Sequence, residues 1–258
     1  MNSLVSRFLG VVILTLGCSS QPAVEAPAHA TEASERATAA LAQEERTPQL
    51  RYVERGQGPD VLVLLHGYGA RGDDLVSFGA SIARAVQLRV VVPEAPNAWR
   101  NGGEGRAWFE PRHQPLEGAN AARGSLVELL AYLRANGAER IALAGFSQGA
   151  IMSLDVALLS DEALVAVGVL SGKELPPWES RYDTRPGLPI FMAHGRTDRV
   201  LGFGDAERLR DRLTAGGAEV VWLPFEGGHT IPSQVRQGLM TFLRQHFQAG
   251  PAPAAGSR

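Results

Sequence analysis

Six runs of apolar residues follow one another through most of the chain, and they constrain its fold more than any other feature. Each run is continuous instead of alternating between apolar and polar residues, as expected for strands buried on both faces of a parallel sheet. Stretches with helical spacing separate several of the runs, and this alternation predicts a doubly wound parallel sheet. The runs are VLVLLHG, LRVVVPEAP, RIALAG, LVAVGVLSG, LPIFMAHG and EVVWLPFEGG. The predicted fold class is therefore α/β, with a mostly parallel sheet in a single domain.

Three helical patterns lie between or after these runs. Their apolar positions are Leu126, Leu129, Leu130 and Leu133 in the first, Leu209 and Leu213 in the second, and Val235, Leu239 and Phe242 in the third. The pair Asn136-Gly137 predicts the end of the first helix, and Asp205 is the predicted cap of the second. The third helix is predicted to begin at Pro232.

The first residues are typical of an export signal and not of the fold. Arg7 precedes the apolar stretch Phe8–Leu16, which is much shorter than the roughly 20 residues of a membrane-spanning helix. Residues 1–17 are therefore predicted to form a lipoprotein signal peptide. LTLGC resembles a bacterial lipobox, so Cys18, the single cysteine, is predicted to be lipidated. The alternatives are a plain secretory signal or a buried free thiol.

The rest of the chain divides into a tether, one domain and a tail. Residues 18–48 are rich in Ala, Glu, Pro and Thr, a composition that cannot bury enough surface to order itself. Residues 249–258 are predicted to be a disordered tail for the same reason, which leaves the folded domain at 49–248. With its leader, this organisation predicts an extracytoplasmic protein whose lipid anchor holds it in the bacterial cell envelope, in the outer membrane where one exists. The formal charge of −2 and the absence of a Lys/Arg block argue against a nucleic-acid partner.

One serine lies between two glycines directly after the run RIALAG. In AGFSQGA, Gly145 and Gly149 flank Ser147 at the spacing of a nucleophile elbow, where a strand turns sharply into a helix. Strand and helix approach each other so closely there that side chains at the glycine positions would clash. A match this short also arises by chance, and an ordinary serine helix cap is the alternative.

The context favours the elbow. Ser147, Asp198 and His229 each follow a predicted strand, and in a parallel sheet the carboxyl ends of the strands share one edge. Their order along the chain, Ser then Asp then His, is that of the α/β hydrolases. The three residues are therefore the predicted nucleophile, acid and general base.

Other residues compete for two of these roles. His66 and His194 also end strands, but each precedes a glycine directly and is predicted to be a hydrogen-bonded core histidine. The competing acids are Asp183, which precedes its strand, Glu226, which is close in sequence to His229, and Asp205, which is the predicted helix cap.

Several short stretches carry a resemblance to a known family. LLHGYG, PEAP, RAWF, GFSQGA, HGRTD and GGH resemble the phospholipase/carboxylesterase family of the α/β hydrolases, which includes the acyl-protein thioesterases. The resemblance extends over nearly the whole folded domain. It implies an α/β-hydrolase fold and cleavage of carboxylic esters or thioesters of small to medium acyl groups through an acyl-enzyme intermediate.

The resemblance also implies further site residues. The backbone amides of Tyr68 and Gln148 would form the oxyanion hole, although relatives often carry an aliphatic residue where this chain has Tyr68. Trp108 and Phe109 resemble a pair that lines the acyl groove, and the alternative for both is packing. The segment 173–187 is too short for a large helical lid, so an open, shallow site is expected.

No cofactor is implied. The sequence lacks paired metal-ligand spacing, and HGYGARGD lacks the Lys-Ser/Thr of a phosphate-binding loop. The expected partner is a small ester or thioester, and the oligomeric state is left open. Two other functions stay open at this point: a dienelactone-hydrolase-like enzyme, whose family typically has cysteine as the nucleophile, and a catalytically silent binding protein on the same scaffold.

Overall fold

A computed structural model of the protein describes residues 48–175, 181–183 and 185–248. Within these ranges nine strands form: β1 (Tyr52–Arg55), β2 (Asp60–Leu65), β3 (Arg89–Pro93), β4 (Asn97–Ala98), β5 (Arg106–Ala107), β6 (Arg140–Phe146), β7 (Val167–Leu170), β8 (Pro189–Gly195) and β9 (Glu219–Phe225). The helices are α1 (Val76–Ile82), continued by a π-helical turn (Ala83–Gln87), α2 (Pro115–Ala135), α3 (Gln148–Leu159), α4 (Phe203–Ala215) and α5 (Ser233–Gln248).

Seven strands form one sheet in the order β1-β3-β2-β6-β7-β8-β9. The strands from β3 to β9 in that order pair in parallel and correspond to the six apolar runs, so the predicted α/β class and parallel sheet are confirmed. The sequence did not predict β1, which pairs antiparallel with β3 at the edge of the sheet. Its residues, YVER, are too few and too polar to show a buried strand. The short strands β4 and β5 form a separate ribbon.

Both faces of the sheet are covered. In β2, Val61, Val63 and Leu65 belong to a core shared with α2, α3 and α4, while Leu62 and Leu64 belong to a second core shared with α1 and α5. This double burial explains why the apolar runs are continuous, because no strand residue in the middle of the sheet faces water.

The helix ends confirm one sequence prediction and correct two. Helix α2 ends at Ala135, with Asn136 as its cap and Gly137 at φ +85°, as predicted. Helix α4 begins at Phe203, and the preceding residue is its cap, so the capping role predicted for Asp205 is wrong. Asp205 instead lies in the first turn, where its negative charge interacts favourably with the positive end of the helix dipole. Helix α5 begins at Ser233, one residue later than predicted.

The predicted signal peptide, Cys18, nearly all of the predicted tether and the predicted tail lie outside the described residues. The described part of the chain contains no helix that is both long and apolar enough to cross a membrane.

Candidate active site

Three strand ends bring the predicted catalytic residues to one edge of the sheet. Strands β6, β8 and β9 run parallel, and Ser147, Asp198 and His229 follow them at their carboxyl ends. Strand β7 lies between β6 and β8. The arrangement predicted from the sequence is therefore present in the fold.

The backbone at Ser147 has the geometry of a sharp strand-to-helix turn. Ser147 has φ 55° and ψ −116°, and α3 begins at the next residue. A Cβ atom on Gly145 would lie 2.2 Å from the backbone of Gly149, and one on Gly149 would lie 2.2 Å from the carbonyl oxygen of Leu65. Because neither backbone can give way, both positions require glycine, as the motif predicted.

A short hydrogen bond joins the predicted base and acid. Nδ1 of His229 lies 2.7 Å from Oδ2 of Asp198. The other carboxylate oxygen of Asp198 accepts the backbone N–H groups of Val200 at 2.8 Å and Leu201 at 2.9 Å. The ring of His229 also packs against Phe146, the residue before the serine, with 4.8 Å between centroids. These contacts fix the imidazole beside the turn that carries Ser147.

The environment of Asp198 favours its ionised form. Burial alone would raise the pKa of this carboxyl, but the hydrogen bonds from His229, Leu201 and Val200 outweigh burial and lower it. Asp198 is therefore a carboxylate at neutral pH and can accept the Nδ1–H of His229, which leaves Nε2 as the nitrogen available for proton transfer.

The other two strand-end histidines are buried and hydrogen-bonded, as predicted. Nε2 of His66 accepts the N–H of Ala95 at 3.1 Å, so Nδ1 carries the proton and donates to the carbonyl of Gly67 at 2.8 Å. His66 is fully buried, and burial lowers its pKa. His194 is buried too, and its Nε2 donates to the carbonyl of Leu201 at 2.8 Å.

His194 nevertheless contacts the acid. Its Nε2 lies 3.3 Å from Oδ2 of Asp198, the oxygen that bonds to His229. His194 therefore holds the loop after β8 in place through its contacts with Leu201 and Asp198. The sequence signal for this contact was the spacing HGRTD, in which the two residues are four apart.

The two residues whose backbone amides the resemblance assigned to an oxyanion hole are both close to Ser147 in the fold. A Cβ atom on Gly67 would lie 3.3 Å from Cβ of Ser147, so the loop that carries Tyr68 runs directly past the serine. Gln148 is the first residue of α3, and the first amides of a helix have no partner within it. The N-terminal end of the helix also favours negative charge.

The side chain of Gln148 has a role that the sequence did not reveal. Its Oε1 accepts the N–H of Trp108 at 2.8 Å, and its Nε2 donates to the carbonyl of Phe109 at 2.7 Å. This clamp joins α3 to a loop about 40 residues earlier in the chain. A long amide side chain between the serine and a required glycine was the only signal that could have suggested it.

Trp108 and Phe109 differ in their surroundings. Trp108 is fully buried, its indole N–H donates to the carbonyl of His66 at 2.9 Å, and it does not line the cavities described below. Of the two alternatives for this pair, Trp108 therefore takes the packing role. Phe109 is also almost completely buried, but it forms part of a cavity wall beside Ser147.

Two cavities meet at Ser147. The larger, about 810 Å³, has an apolar part formed by Phe109, Ile151 and Leu175. The smaller, about 430 Å³, is lined by His229. Three residues line both cavities: Ser147, Tyr68 and Val200.

The side chain of Tyr68 is held between the two cavities by Glu110. Its hydroxyl donates to the carboxylate of Glu110, at 3.0 and 3.1 Å from the two oxygens. Burial and this hydrogen bond raise the pKa of the phenol, so it stays protonated at neutral pH. Val200 is 66% exposed, which is unusual for a valine and leaves it at the rim of the site.

The described residues contain no group of three or more His, Cys, Asp or Glu side chains that could hold a metal ion. The segment that was expected to be too short for a lid is described only in part.

Comparisons with known proteins identify similar chains. The profile of the family described as phospholipase/carboxylesterase matches residues 53–247. Acyl-protein thioesterase 1 of Eremothecium gossypii is 27% identical over 231 residues, which cover 80% of this chain and 97% of that protein. Esterase YpfH of Escherichia coli is also 27% identical, over 73% of this chain and 85% of its own length. The crystal structure of esterase PE8 superposes with a TM-score of 0.69 at 28% identity, covering 76% of this chain and 98% of that one.

Proposed function

This chain belongs to the phospholipase/carboxylesterase family, and on that premise we propose that it is a serine hydrolase that cleaves carboxylic esters or thioesters of small to medium acyl groups. The observation that carries the proposal is the 2.7 Å bond between His229 and Asp198 at a cavity that Ser147 also lines. The resemblance predicted from the sequence motifs is confirmed by the family match. The similarity to an acyl-protein thioesterase and to two esterases supports this reaction class.

In the first half of the proposed reaction, the hydroxyl of Ser147 attacks the carbonyl carbon of the substrate. Nε2 of His229 takes the hydroxyl proton, while Asp198 stabilises the imidazolium through Nδ1–H. The negative charge that develops on the carbonyl oxygen is stabilised by the backbone N–H groups of Tyr68 and Gln148. A donor of this kind contributes about 3–4 kcal/mol to transition-state stabilisation.

In the second half, His229 gives the proton to the departing alcohol or thiol, and the acyl group stays on Ser147. Water then attacks the acyl-enzyme, with His229 as its general base, and the free acid is released. These steps use only side chains and backbone amides of the chain, so no cofactor enters the mechanism.

The two cavities suggest where each half of the substrate binds. The leaving group must lie next to the nitrogen that protonates it, and His229 lines the smaller cavity. The acyl group therefore belongs in the larger cavity, against the apolar side chains of Phe109, Ile151 and Leu175. A volume of about 810 Å³ lies within the usual range of small-molecule sites.

A fluorophosphonate probe tests the proposal directly, because it phosphonylates only an activated serine. We expect wild type to be labelled and to hydrolyse both 4-nitrophenyl esters and acyl thioesters, and Ser147→Ala to do neither. A folded wild-type protein that is neither labelled nor active would instead be a silent binding protein. Activity confined to dienelactones would favour the dienelactone-hydrolase-like alternative.

The N-terminal residues support a separate proposal, that the mature protein is held at the bacterial cell envelope by a lipid on Cys18. The support is the short apolar stretch Phe8–Leu16 followed by LTLGC. We expect wild type to fractionate with membranes and Cys18→Ser to be released from them. The variant Ser19→Ala is the control, because it leaves the cysteine in place. Equal membrane retention of wild type and Cys18→Ser would refute the anchor.

A further inference from the structure

The larger cavity combines an apolar wall with an excess of positive charge. Apart from one histidine, its charged lining residues are the cations Arg100, Arg112 and Lys173 and the carboxylates Glu110 and Glu174. The whole chain, in contrast, carries a formal charge of −2. A cationic surface in a net negative protein is a local feature of this site, and it favours an anionic ligand.

Both carboxylates in the cavity are already engaged. Glu110 accepts the hydroxyl of Tyr68 on both oxygens, and Nε of Arg100 lies 4.0 Å from it. Glu174 accepts the hydroxyl of Tyr182 and the guanidinium of Arg212, which approaches one oxygen to 2.6 Å. The ion pairs that these carboxylates make are with Arg100 and Arg212, and neither is made with the remaining cations of the cavity.

Two cations are left without an acidic partner. In the part of the chain that the structure describes, Arg112 and Lys173 make no ion pair, and both side chains belong to exposed residues. Arg112 lies in the loop before α2 and Lys173 in the loop after β7, so they reach the same cavity from two different elements. Lys173 is also the only lysine of the chain, in which 24 of the 25 basic residues are arginine.

The position of these cations relative to His229 indicates which part of a substrate they contact. Arg112 and Lys173 line the cavity assigned above to the acyl group, whereas His229 lines the other one. A negative charge on the leaving group would lie on the side of His229, away from both cations. A negative charge on the acyl group would lie in the cavity that both cations line.

We propose that the substrates of this site are monoesters or monothioesters of dicarboxylic acids, with the free carboxylate of the acyl chain bound by Arg112 and Lys173. The proposal rests on the function proposed above and specifies its substrate class. The methylene chain would pack on the apolar wall, where each buried CH₂ contributes about 0.8 kcal/mol. Hydrolysis breaks the bond between the acyl carbon and the leaving oxygen or sulfur and releases the dicarboxylic acid and an alcohol or thiol.

The test compares two acyl chains of equal length on the purified full chain. The 4-nitrophenyl monoester of suberic acid ends in a carboxylate, and 4-nitrophenyl octanoate ends in a methyl group. Chains this long avoid the attack of the free carboxylate on its own ester that shorter diacids undergo. At low ionic strength we expect the suberate ester to have the higher kcat/KM, and added salt to reduce its advantage.

The variants are Arg112→Gln with Lys173→Gln, and Arg84→Gln as a control. Arg84 is exposed, has the same charge and does not line the described cavities. In the double variant we expect the ratio of kcat/KM for suberate over octanoate to fall about tenfold, as expected for two partly exposed charge pairs. The loss should be in KM with kcat retained, because neither cation lines the cavity that contains His229. The control should keep the wild-type ratio.

A second pair of substrates moves the charge to the alcohol: the octanoyl ester of 4-hydroxybenzoate and that of its methyl ester. If the double variant affects this pair and not the suberate ester, the assignment of the anion to the acyl side is wrong. If octanoate is cleaved but the suberate ratio is the same in wild type and double variant, the dicarboxylate proposal is overturned while the hydrolase function stands. If no ester is cleaved by folded protein, the proposed function itself fails.

Discussion

Two adjacent strands of this sheet are each followed by a serine with a positive φ, which is unusual for a residue other than glycine. Ser147 follows β6 with φ 55°, and Ser171 follows β7 with φ 51°. Each donates its backbone N–H to the next strand, Ser147 to Leu170 at 2.9 Å and Ser171 to Ala193 at 2.8 Å. In φ and in this backbone hydrogen bond, the two positions are close equivalents.

Their side chains are in opposite situations. Ser147 lines both cavities, whereas Ser171 is 1% exposed and its hydroxyl is buried without a hydrogen-bond partner among the described residues. After Ser147 a helix begins at Gln148, and after Ser171 comes Gly172 without a helix. A strained serine at a strand end is therefore not a sufficient sign of a nucleophile, and access and a neighbouring base decide the matter.

The largest expected effect comes from removing each hydroxyl in turn. Ser147→Ala should lower kcat by a factor of about 10⁵–10⁶, because a nucleophile and its base and acid act together. Ser171→Ala should leave kcat nearly unchanged and be neutral or slightly stabilising, because it removes an unpaired buried hydroxyl. Esterase kinetics and thermal unfolding of both variants provide the measurement. Wild-type activity in a correctly folded Ser147→Ala would contradict the nucleophile assignment.

The second-largest effect is expected from the predicted acid and base, Asp198 and His229. Asp198→Asn should reduce kcat by about 10⁴, because the asparagine amide favours the wrong tautomer of His229. Asp183→Asn is the matched control, since Asp183 is an exposed acid that the sequence also offered. His229→Ala and the double variant with Ser147→Ala should be equally inactive. A tenfold or smaller loss in Asp198→Asn would show that another acid orients the imidazole.

The glycines beside the two serines should differ in how much they tolerate a methyl group. On Gly149 a Cβ would lie 2.2 Å from a backbone oxygen of β2, whereas on Gly172 it would meet side-chain atoms of Val169 at 2.8 Å and Ala150 at 3.0 Å. Strand β2 cannot move without losing its pairing, whereas the closest contact at Gly172 is with a methyl group of Val169, which can rotate. We expect Gly149→Ala to lower the free energy of unfolding by about 4 kcal/mol or more, and Gly172→Ala by about 1–3 kcal/mol. Urea titrations of both variants test this order, and equal losses would contradict it.

Gln148 and its clamp should give a smaller effect. Gln148→Leu leaves the buried N–H of Trp108 and the carbonyl of Phe109 without partners, which costs about 2–4 kcal/mol of unfolding free energy. Since Phe109 forms part of the acyl cavity, KM should rise more than kcat falls, and the backbone amide of Gln148 is retained. Gln237→Leu, an exposed change on α5, is the control. A variant as stable as this control would show that the clamp adds nothing to stability.

The smallest expected effect is a dependence of stability on pH that arises from Asp198. The pKa of Asp198 is lower in the folded than in the unfolded protein, so its ionised form stabilises the fold. That contribution is complete above the ordinary carboxyl pKa of about 3.8 and is lost as the pH falls through the lower folded value. The free energy of unfolding of wild type should therefore fall towards that of Asp198→Asn below about pH 4. Parallel pH profiles of the two proteins would contradict the linkage.

How far the sequence predicts this protein depends on the range of the interactions involved. The six parallel strands, the end of α2 and the two elbow glycines follow from apolar runs and backbone sterics within a few neighbouring residues. The edge strand β1 was not predicted because four mostly polar residues have no pattern of their own. The start of α4 was placed wrongly because its cap is Gly202, which has no side chain to indicate the position.

The sequence by itself determined the class of fold, the order of Ser147, Asp198 and His229 along the chain and the sheet edge to which they belong. Tertiary structure alone decided that Trp108 is buried while Phe109 forms a cavity wall, that Gln148 holds both, and that Ser171 is buried although its φ is close to that of Ser147. The physical reason is that burial and hydrogen bonding of a side chain depend on which distant segments pack above it. Those segments are loops, whose residues carry no periodic pattern that would place them in advance.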